Sequence, residues 1–330
     1  MKKILMIATG GTIASKTTPN GLYPELTSEE ILEYIPAISN LCEVETVQLC
    51  NIDSTNISTD IWIMLVNAIR NNYHKYDGFV ISHGTDTMAY TSAALSYMIQ
   101  NSPKPIVITG AQRPINLDVT DSKTNLFDSF LYASSDLASG VQIVFNGRVI
   151  LGTRARKTRS KSFQAFSSIN YPYLAVIQDE HLIQYIHQEK KAAPTFYDKL
   201  NPRVALFKLT PGVDADILSY MLSKNDAVII ESYGVGGIPS LPPNDYFSVI
   251  QYWISQGRTV VMTTQVPNEG SDMSIYRVGH ELKNKVDILE AYDMITEAVL
   301  CKLMWILGQT VNREEVEKMF YMTVSNDILY

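Results

Sequence analysis

The side chains able to do chemistry gather in four short stretches, each directly after an apolar run: Thr9-Gly10-Gly11-Thr12, Asn51-Ile52-Asp53-Ser54-Thr55, Ser82-His83-Gly84-Thr85-Asp86-Thr87 and Thr109-Gly110-Ala111-Gln112-Arg113-Pro114. In an open parallel sheet, ligands bind beyond the carboxyl ends of the strands, so these stretches predict one polar pocket. A Gly-Gly-Thr turn lets backbone approach a ligand and leaves a hydroxyl at a strand tip, where a nucleophile could sit. The same turn is what a self-satisfied threonine in an ordinary strand exit looks like, and the turn alone leaves both readings open. Thr85-Asp86 sets a hydroxyl beside a carboxylate. Asp86 or Thr87 could equally cap a helix beginning near Met88, which would not exclude catalysis. His83, between an apolar strand and a glycine, reads as structural rather than as a base.

Five basic residues crowd into Thr153-Arg154-Ala155-Arg156-Lys157-Thr158-Arg159-Ser160-Lys161. A solvated loop would have this composition. A nucleic-acid patch is disfavoured because no aromatics interleave the cations. The third reading sends one lysine into the pocket, where desolvation removes its charge and it serves as a base beside a threonine. The five histidines show no metal-ligand spacing, so no metal is expected, and neither G-x-G-x-x-G nor G-x-x-x-x-G-K-[ST] occurs, so nucleotide binding lacks its two usual fingerprints.

The 330 residues carry 27 Lys plus Arg against 34 Asp plus Glu, a formal charge of -7 that opposes binding to a nucleic-acid backbone. Cys42, Cys50 and Cys301 are odd in number and lack C-x-x-C spacing, as small buried side chains in a reducing compartment would be. The apolar run Ile4 to Ala8 is shorter than a signal-peptide core, and no run approaches the ~18 residues of a membrane span. A cytoplasmic protein without membrane contact is expected.

The elements that must position these residues follow from periodicity. Ile4 to Ala8, Val44 to Leu49, Gly78 to Ser82 and Pro105 to Thr109 read as strands. Thr27-Ser28-Glu29-Glu30 is a capping box opening a helix with Ile31, Leu32 and Ile35. Ile61, Leu65 and Ile69 share one helical face, and Ala89 to Ile99 is a further apolar helix. This alternation means right-handed crossovers and a parallel sheet. Asn146-Gly147, between Val141 to Phe145 and Arg148 to Leu151, predicts a two-residue hairpin. The polar, proline-punctuated stretch 187–202 reads as a linker between a catalytic α/β domain over 1–186 and a smaller one over 203–330. There the pattern restarts with strands at Val204 to Leu209, Ala227 to Glu231 and Thr259 to Thr263. Helices are expected at Ala215 to Leu222, Tyr246 to Ser255, Ile295 to Leu307 and Glu314 to Met322.

Ala8-Thr9-Gly10-Gly11-Thr12-Ile13-Ala14, His83-Gly84-Thr85-Asp86-Thr87-Met88, Thr109 to Pro114, Asp53-Ser54-Thr55 and Ser232-Tyr233-Gly234-Val235-Gly236 together resemble the bacterial-type L-asparaginases, most closely their cytoplasmic type I branch. The resemblance spans essentially the whole chain. It implies a larger flavodoxin-like N-terminal domain, with its parallel sheet and hairpin, and a smaller Rossmann-like one. The implied activity is hydrolysis of L-asparagine to L-aspartate and ammonia, without cofactor, through an acyl-enzyme on Thr12. By position, Thr85, Asp86 and Lys157 resemble the catalytic Thr-Asp-Lys group. Asp53, Ser54, Thr55 and Asp86 resemble the substrate-holding residues, and Ala111 the one whose carbonyl faces the leaving amide. Many relatives carry a tyrosine directly after the glycine of the loop over the nucleophile; the order here is Gly21-Leu22-Tyr23-Pro24, so the resemblance implies that Tyr23 takes this catalytic role from a position shifted by one place.

The same motifs occur in glutaminase-asparaginases and in the amidase component of the archaeal glutamyl-tRNA amidotransferase, which adds an N-terminal domain. The resemblance, with apolar Met304, Trp305 and Leu307 on a late helix, also implies a homodimer or homotetramer.

Overall fold

A computed structural model describes residues 1–19, 21–189, 193–241 and 245–329. They form two compact units, Met1–Asp198 and Lys199–Tyr330.

The first unit is built on an eight-stranded sheet. Five strands, Lys3–Gly10, Glu43–Ile52, Gly78–Ser82, Pro105–Thr109 and Gly140–Phe145, pair in parallel. Numbered by sequence, they lie in the order 2-1-3-4-5, the doubly wound arrangement of flavodoxin-like folds. The order reverses between Lys3–Gly10 and Gly78–Ser82, so the crevice for a ligand opens beyond the carboxyl ends of these two. Ile4, Met6, Val80, Val107 and Val144 pack in one apolar cluster with Ile31, Leu126 and Phe130. The capping box at Thr27 forms as expected, with Glu30 N–H donating to Thr27 Oγ1 and Thr27 N–H to Glu30. Asn146 and Gly147 take φ of 50° and 67°, the mirror-image turn that matches strand twist, and join Phe145 to Arg148 in register.

Several expectations change. The basic run is not a solvated loop at its start: Thr153, Arg154 and Ala155 are fully buried, and Ala155–Lys157 pairs antiparallel with Phe166–Ser168. Within the stretch read as linker, Thr195–Phe196 pairs with Ile99–Gln100, while Lys190, Lys191 and Ala192 lie outside the described residues. The helix Ser122–Ala133 and the strands Ala175–Gln178 and His181–Gln184 add to the elements that periodicity predicts. In that helix polar Asn125, Asp128 and Ser129 are buried beside Leu126, Phe130 and Ala133, which dilutes the apolar period.

The second unit carries four parallel strands in sequential order, Val204–Lys208, Ala227–Ser232, Thr259–Thr264 and Leu289–Glu290. Val228, Ile230, Val260 and Met262 pack with Leu218, Leu222, Tyr246 and Ile250 of its helices. The short last strand and the helix Arg277–Lys285 also add to the predicted elements. Met304, Trp305 and Leu307 are buried within the chain, so they are not an exposed assembly face. Cys42, Cys50 and Cys301 are free thiols. No helix among the described residues is long and apolar enough to cross a membrane.

Candidate active site

Missing side chains bring the loops together. Gly11, at φ 77°, lies so near Gly84 that a β-carbon on it would stand 2.4 Å from Gly84 Cα. A β-carbon on Gly84 would stand 2.5 Å from Ser54 Oγ, and one on Gly110 would stand 2.1 Å from the His83 carbonyl oxygen. No real β-carbon fits at such separations, so three strand exits close onto Gly84 and His83 only because glycine stands at each contact. Thr9 Oγ1 adds a 2.9 Å hydrogen bond to Ser82 O across the switch point.

At this junction Lys157 Nζ donates to Thr85 Oγ1 at 2.8 Å and to Asp86 Oδ1 at 2.6 Å. The lysine arrives from its strand with a largely buried side chain, 18% exposed, while that of Asp86 is 58% exposed. Lys157 is the member of the basic run that reaches Thr85 and Asp86, and it does so paired with a carboxylate. Thr85 in turn donates to Gln112 Oε1 at 3.0 Å. Its single proton is committed to Gln112, so its oxygen accepts from Lys157.

Thr12 opens a 3-10 turn that Ser15 steadies by donating to Gly11 O at 2.9 Å. The Thr12 hydroxyl is half-buried and has no hydrogen-bond partner among the described residues. Asp53 is exposed and accepts from both Thr55 N–H and Thr55 Oγ1 at 2.8 Å, which ties Thr55 to the loop; Ser54 is buried against Gly84. Ala111 is wholly buried in the apolar cluster. Tyr23 stands apart, 61% exposed on the Gly21–Pro24 strand opposite Lys16, without a side-chain hydrogen bond among the described residues.

The capping alternative fails for both candidates. Thr87 occupies the N-cap but makes no side-chain cap bond; its hydroxyl donates to Ser54 O at 2.8 Å, joining two site loops. Asp86 is engaged by Lys157. His83 is structural as expected, fully buried, with burial lowering its pKa to about 4.

Sequence reasoning missed the group that holds Gln112. The carboxylate of Asp121, 7% exposed, accepts from Gln112 N–H, Arg113 N–H and Asn125 Nδ2 at 3.0 to 3.1 Å. Asn125 Nδ2 also donates to Gly110 O at 3.0 Å. Burial raises the Asp121 pKa, and the N–H donors oppose that rise. The only signal was Gln112 itself, the polar side chain after Gly110-Ala111.

Hydroxyls, a carboxylate and a lysine meeting at the switch point of a doubly wound sheet define an α/β enzyme that acts on a small polar molecule. Comparison with known proteins narrows the class. The family model for the asparaginase N-terminal domain matches residues 3–190, and that for the glutaminase/asparaginase C-terminal domain matches 203–320. The chain belongs to the asparaginase family of amidohydrolases. It is 37% identical over 99% of both chains to an L-asparaginase of Thermococcus kodakarensis. A solved structure, of the thermostable L-asparaginase from Thermococcus kodakarensis, superposes with a TM-score of 0.92 at 35% identity, covering 99% of both chains. A component of the glutamyl-tRNA(Gln) amidotransferase of Pyrococcus abyssi is 32% identical over 99% of this chain and 77% of its own length.

Proposed function

We propose that this protein hydrolyses L-asparagine to L-aspartate and ammonia through an acyl-enzyme on Thr12. The observation that carries this reading is the Lys157 bridge to Thr85 and Asp86, set beside the unpartnered Thr12 hydroxyl by the contact of Gly11 with Gly84. A threonine hydroxyl attacks an amide carbon only if its proton is drawn off, and the departing nitrogen must gain one. Both transfers pass through the Thr85–Lys157–Asp86 group: as Thr85 takes the Thr12 proton it passes its own to Lys157, Lys157 passes one to the Asp86 carboxylate, and the reverse shift protonates the departing nitrogen. The leaving group departs as ammonia, water attacks the Thr12 ester, and its proton returns by the same group as aspartate is freed.

Charge on the amide oxygen in the transition state needs fixed donors. The backbone N–H groups of Thr12 and Thr85 have no partner among the described residues and supply them. Asp53, Ser54 and Asp86 take the substrate's α-ammonium and α-carboxylate. Thr55, held by Asp53, shapes that loop, and Ala111 offers its carbonyl to the amide nitrogen.

Ammonia release from asparagine and glutamine, measured side by side, tests the reading. One methylene is worth about 1 to 3 kcal/mol in a closed pocket, so glutamine should turn over at least about tenfold more slowly. Equal turnover rejects the specificity, and no ammonia from either rejects the activity. The likeness to the amidotransferase component favours a second reading, an amidase acting with tRNA, which retention of tRNA in a pull-down would support. By the habit of the family, the protein works in the cytoplasm as a homodimer or homotetramer; sedimentation at the monomer mass alone at micromolar concentration overturns the assembly.

A further inference from the structure

His83 is fully buried, yet both of its ring nitrogens are engaged. Nδ1 lies 2.7 Å from Gly84 O, and Nε2 lies 2.9 Å from Thr91 Oγ1. Thr91 Oγ1 is itself 2.9 Å from Trp62 Nε1. Thr91 is fully buried and Trp62 is 6% exposed, so water does not share in these bonds.

Every proton in this chain can be assigned. An indole N–H only donates and a carbonyl oxygen only accepts. Trp62 therefore gives its proton to Thr91, and His83 Nδ1 carries the proton that goes to Gly84 O. Burial keeps the imidazole neutral, since no carboxylate is among its hydrogen-bond partners. A neutral ring has one N–H, so Nε2 is bare and accepts from the Thr91 hydroxyl. The relay runs one way, from Trp62 through Thr91 and His83 to Gly84 O.

The consequence lies one bond further on. A trans peptide is planar, and its C=O and N–H point in opposite directions. Holding Gly84 O toward the imidazole turns the N–H of Thr85 away from it, and that N–H has no partner among the described residues. Gly84 itself carries no side chain, and among the described residues the imidazole is the hydrogen-bond partner of Gly84 O, so it is the group that holds that carbonyl in place.

We propose that His83 is a positioning residue that aims the Thr85 backbone N–H at the substrate's amide oxygen, with Thr91 and Trp62 locking the tautomer that lets it do so. This rests on the asparagine-hydrolysing reading for its substrate, while the tautomer stands on geometry alone. His83 takes no part in proton transfer to substrate, because both nitrogens are spent in the core.

Nitrogen-15 NMR of the wild-type imidazole and steady-state kinetics of three variants test it. The spectrum should show a protonated Nδ1 and a bare Nε2 between pH 6 and 8; the opposite tautomer overturns the relay. His83→Asn places an amide N–H near the position of Nδ1 and should keep kcat within about tenfold. His83→Leu deletes the donor and should lower kcat by about 10²-fold, near the worth of one oxyanion donor, with KM changed less than about threefold. Thr91→Val leaves the imidazole in place but removes the donor to Nε2. It should lower kcat less than His83→Leu does and disturb the tautomer signal. Equal kcat in wild type and His83→Leu overturns the proposal. If His83→Leu does not fold, an undisturbed tautomer and unchanged kcat in Thr91→Val overturn it instead. Loss of ammonia release in the wild type with the expected tautomer present defeats the substrate reading and the catalytic part of the proposal, and leaves the relay standing.

Discussion

Gly11 and Gly84, more than seventy positions apart, touch backbone to backbone: a β-carbon on Gly11 would stand 2.4 Å from both the Cα and the N of Gly84. This contact brings the tip of the first strand, with Thr12, to the tip of the third, with Thr85 and Asp86. The hydroxyl proposed to attack the substrate and the groups proposed to handle its proton come from separate strands, and their loops approach because neither glycine has a side chain.

Thr12→Ala removes the unpartnered hydroxyl and should abolish turnover, while Thr12→Ser should keep some. Lys157→Met keeps the length of the side chain without its donors to Thr85 and Asp86, and should lower kcat by about 10² to 10⁴. Aspartate binding should persist in that variant, because Asp53 and Ser54 remain. Calorimetric titration with aspartate beside an ammonia assay checks both halves. Normal turnover in Lys157→Met with an inactive Lys161→Met would reassign the lysine.

Gln112 holds Thr85 as an acceptor for Lys157, taking the Thr85 proton at 3.0 Å while its own Nε2 donates to Ser162 O at 3.2 Å. Gln112→Met fills the same space without either bond, and kcat should fall about tenfold with KM nearly unchanged. Gln112→Glu keeps an acceptor for Thr85 and should lie between. A kcat in Gln112→Met equal to that of the wild type removes Gln112 from the site.

Asp128 is 5% exposed, and burial, reinforced by the charge of Glu180, raises its carboxyl pKa to about 7. The folded protein thus holds a proton there that the unfolded chain releases near pH 4. The stabilisation is complete below that pH and is lost as pH rises through 7. Asp128→Asn stays neutral and can still accept from Gly147 N–H. It should raise Tm at pH 8, by the equivalent of about 1 to 4 kcal/mol, and change it little at pH 4. Identical thermal denaturation curves at pH 8 would contradict this.

Lys302 and Asp327 form a wholly buried ion pair at 2.7 Å in the second unit. The lysine also donates to Met322 O, and Asp327 accepts from Val324 N–H, so the pair fixes the chain beyond the last helix. Asp327→Asn leaves a buried ammonium without its counter-charge and should cost about 3 to 5 kcal/mol in urea denaturation. The double variant Lys302→Met with Asp327→Leu should recover most of that loss, since neither charge is then buried.

The parallel strands of the first unit, the first three strands of the second, the capping box at Thr27, the Asn146-Gly147 hairpin and the four polar stretches at strand exits were legible in the sequence. Each is a local fact, because periodicity, capping and turn chemistry act over a few neighbouring residues. The composition of the basic run left open which of its cations turns inward; the resemblance pointed to Lys157, and the fold supplies the contact. Lys157 meets Thr85 across 72 positions of chain, while Arg154, three residues earlier, is buried and Arg159, two later, is exposed. Likewise, nothing local marked Asp121 as the support of Gln112 or turned Thr87 from its helix toward Ser54 O. Those choices depend on which hydrogen-bonding groups distant strands deliver to the same few ångströms, and that is fixed by pairing order and close glycine contacts rather than by any residue's immediate neighbours.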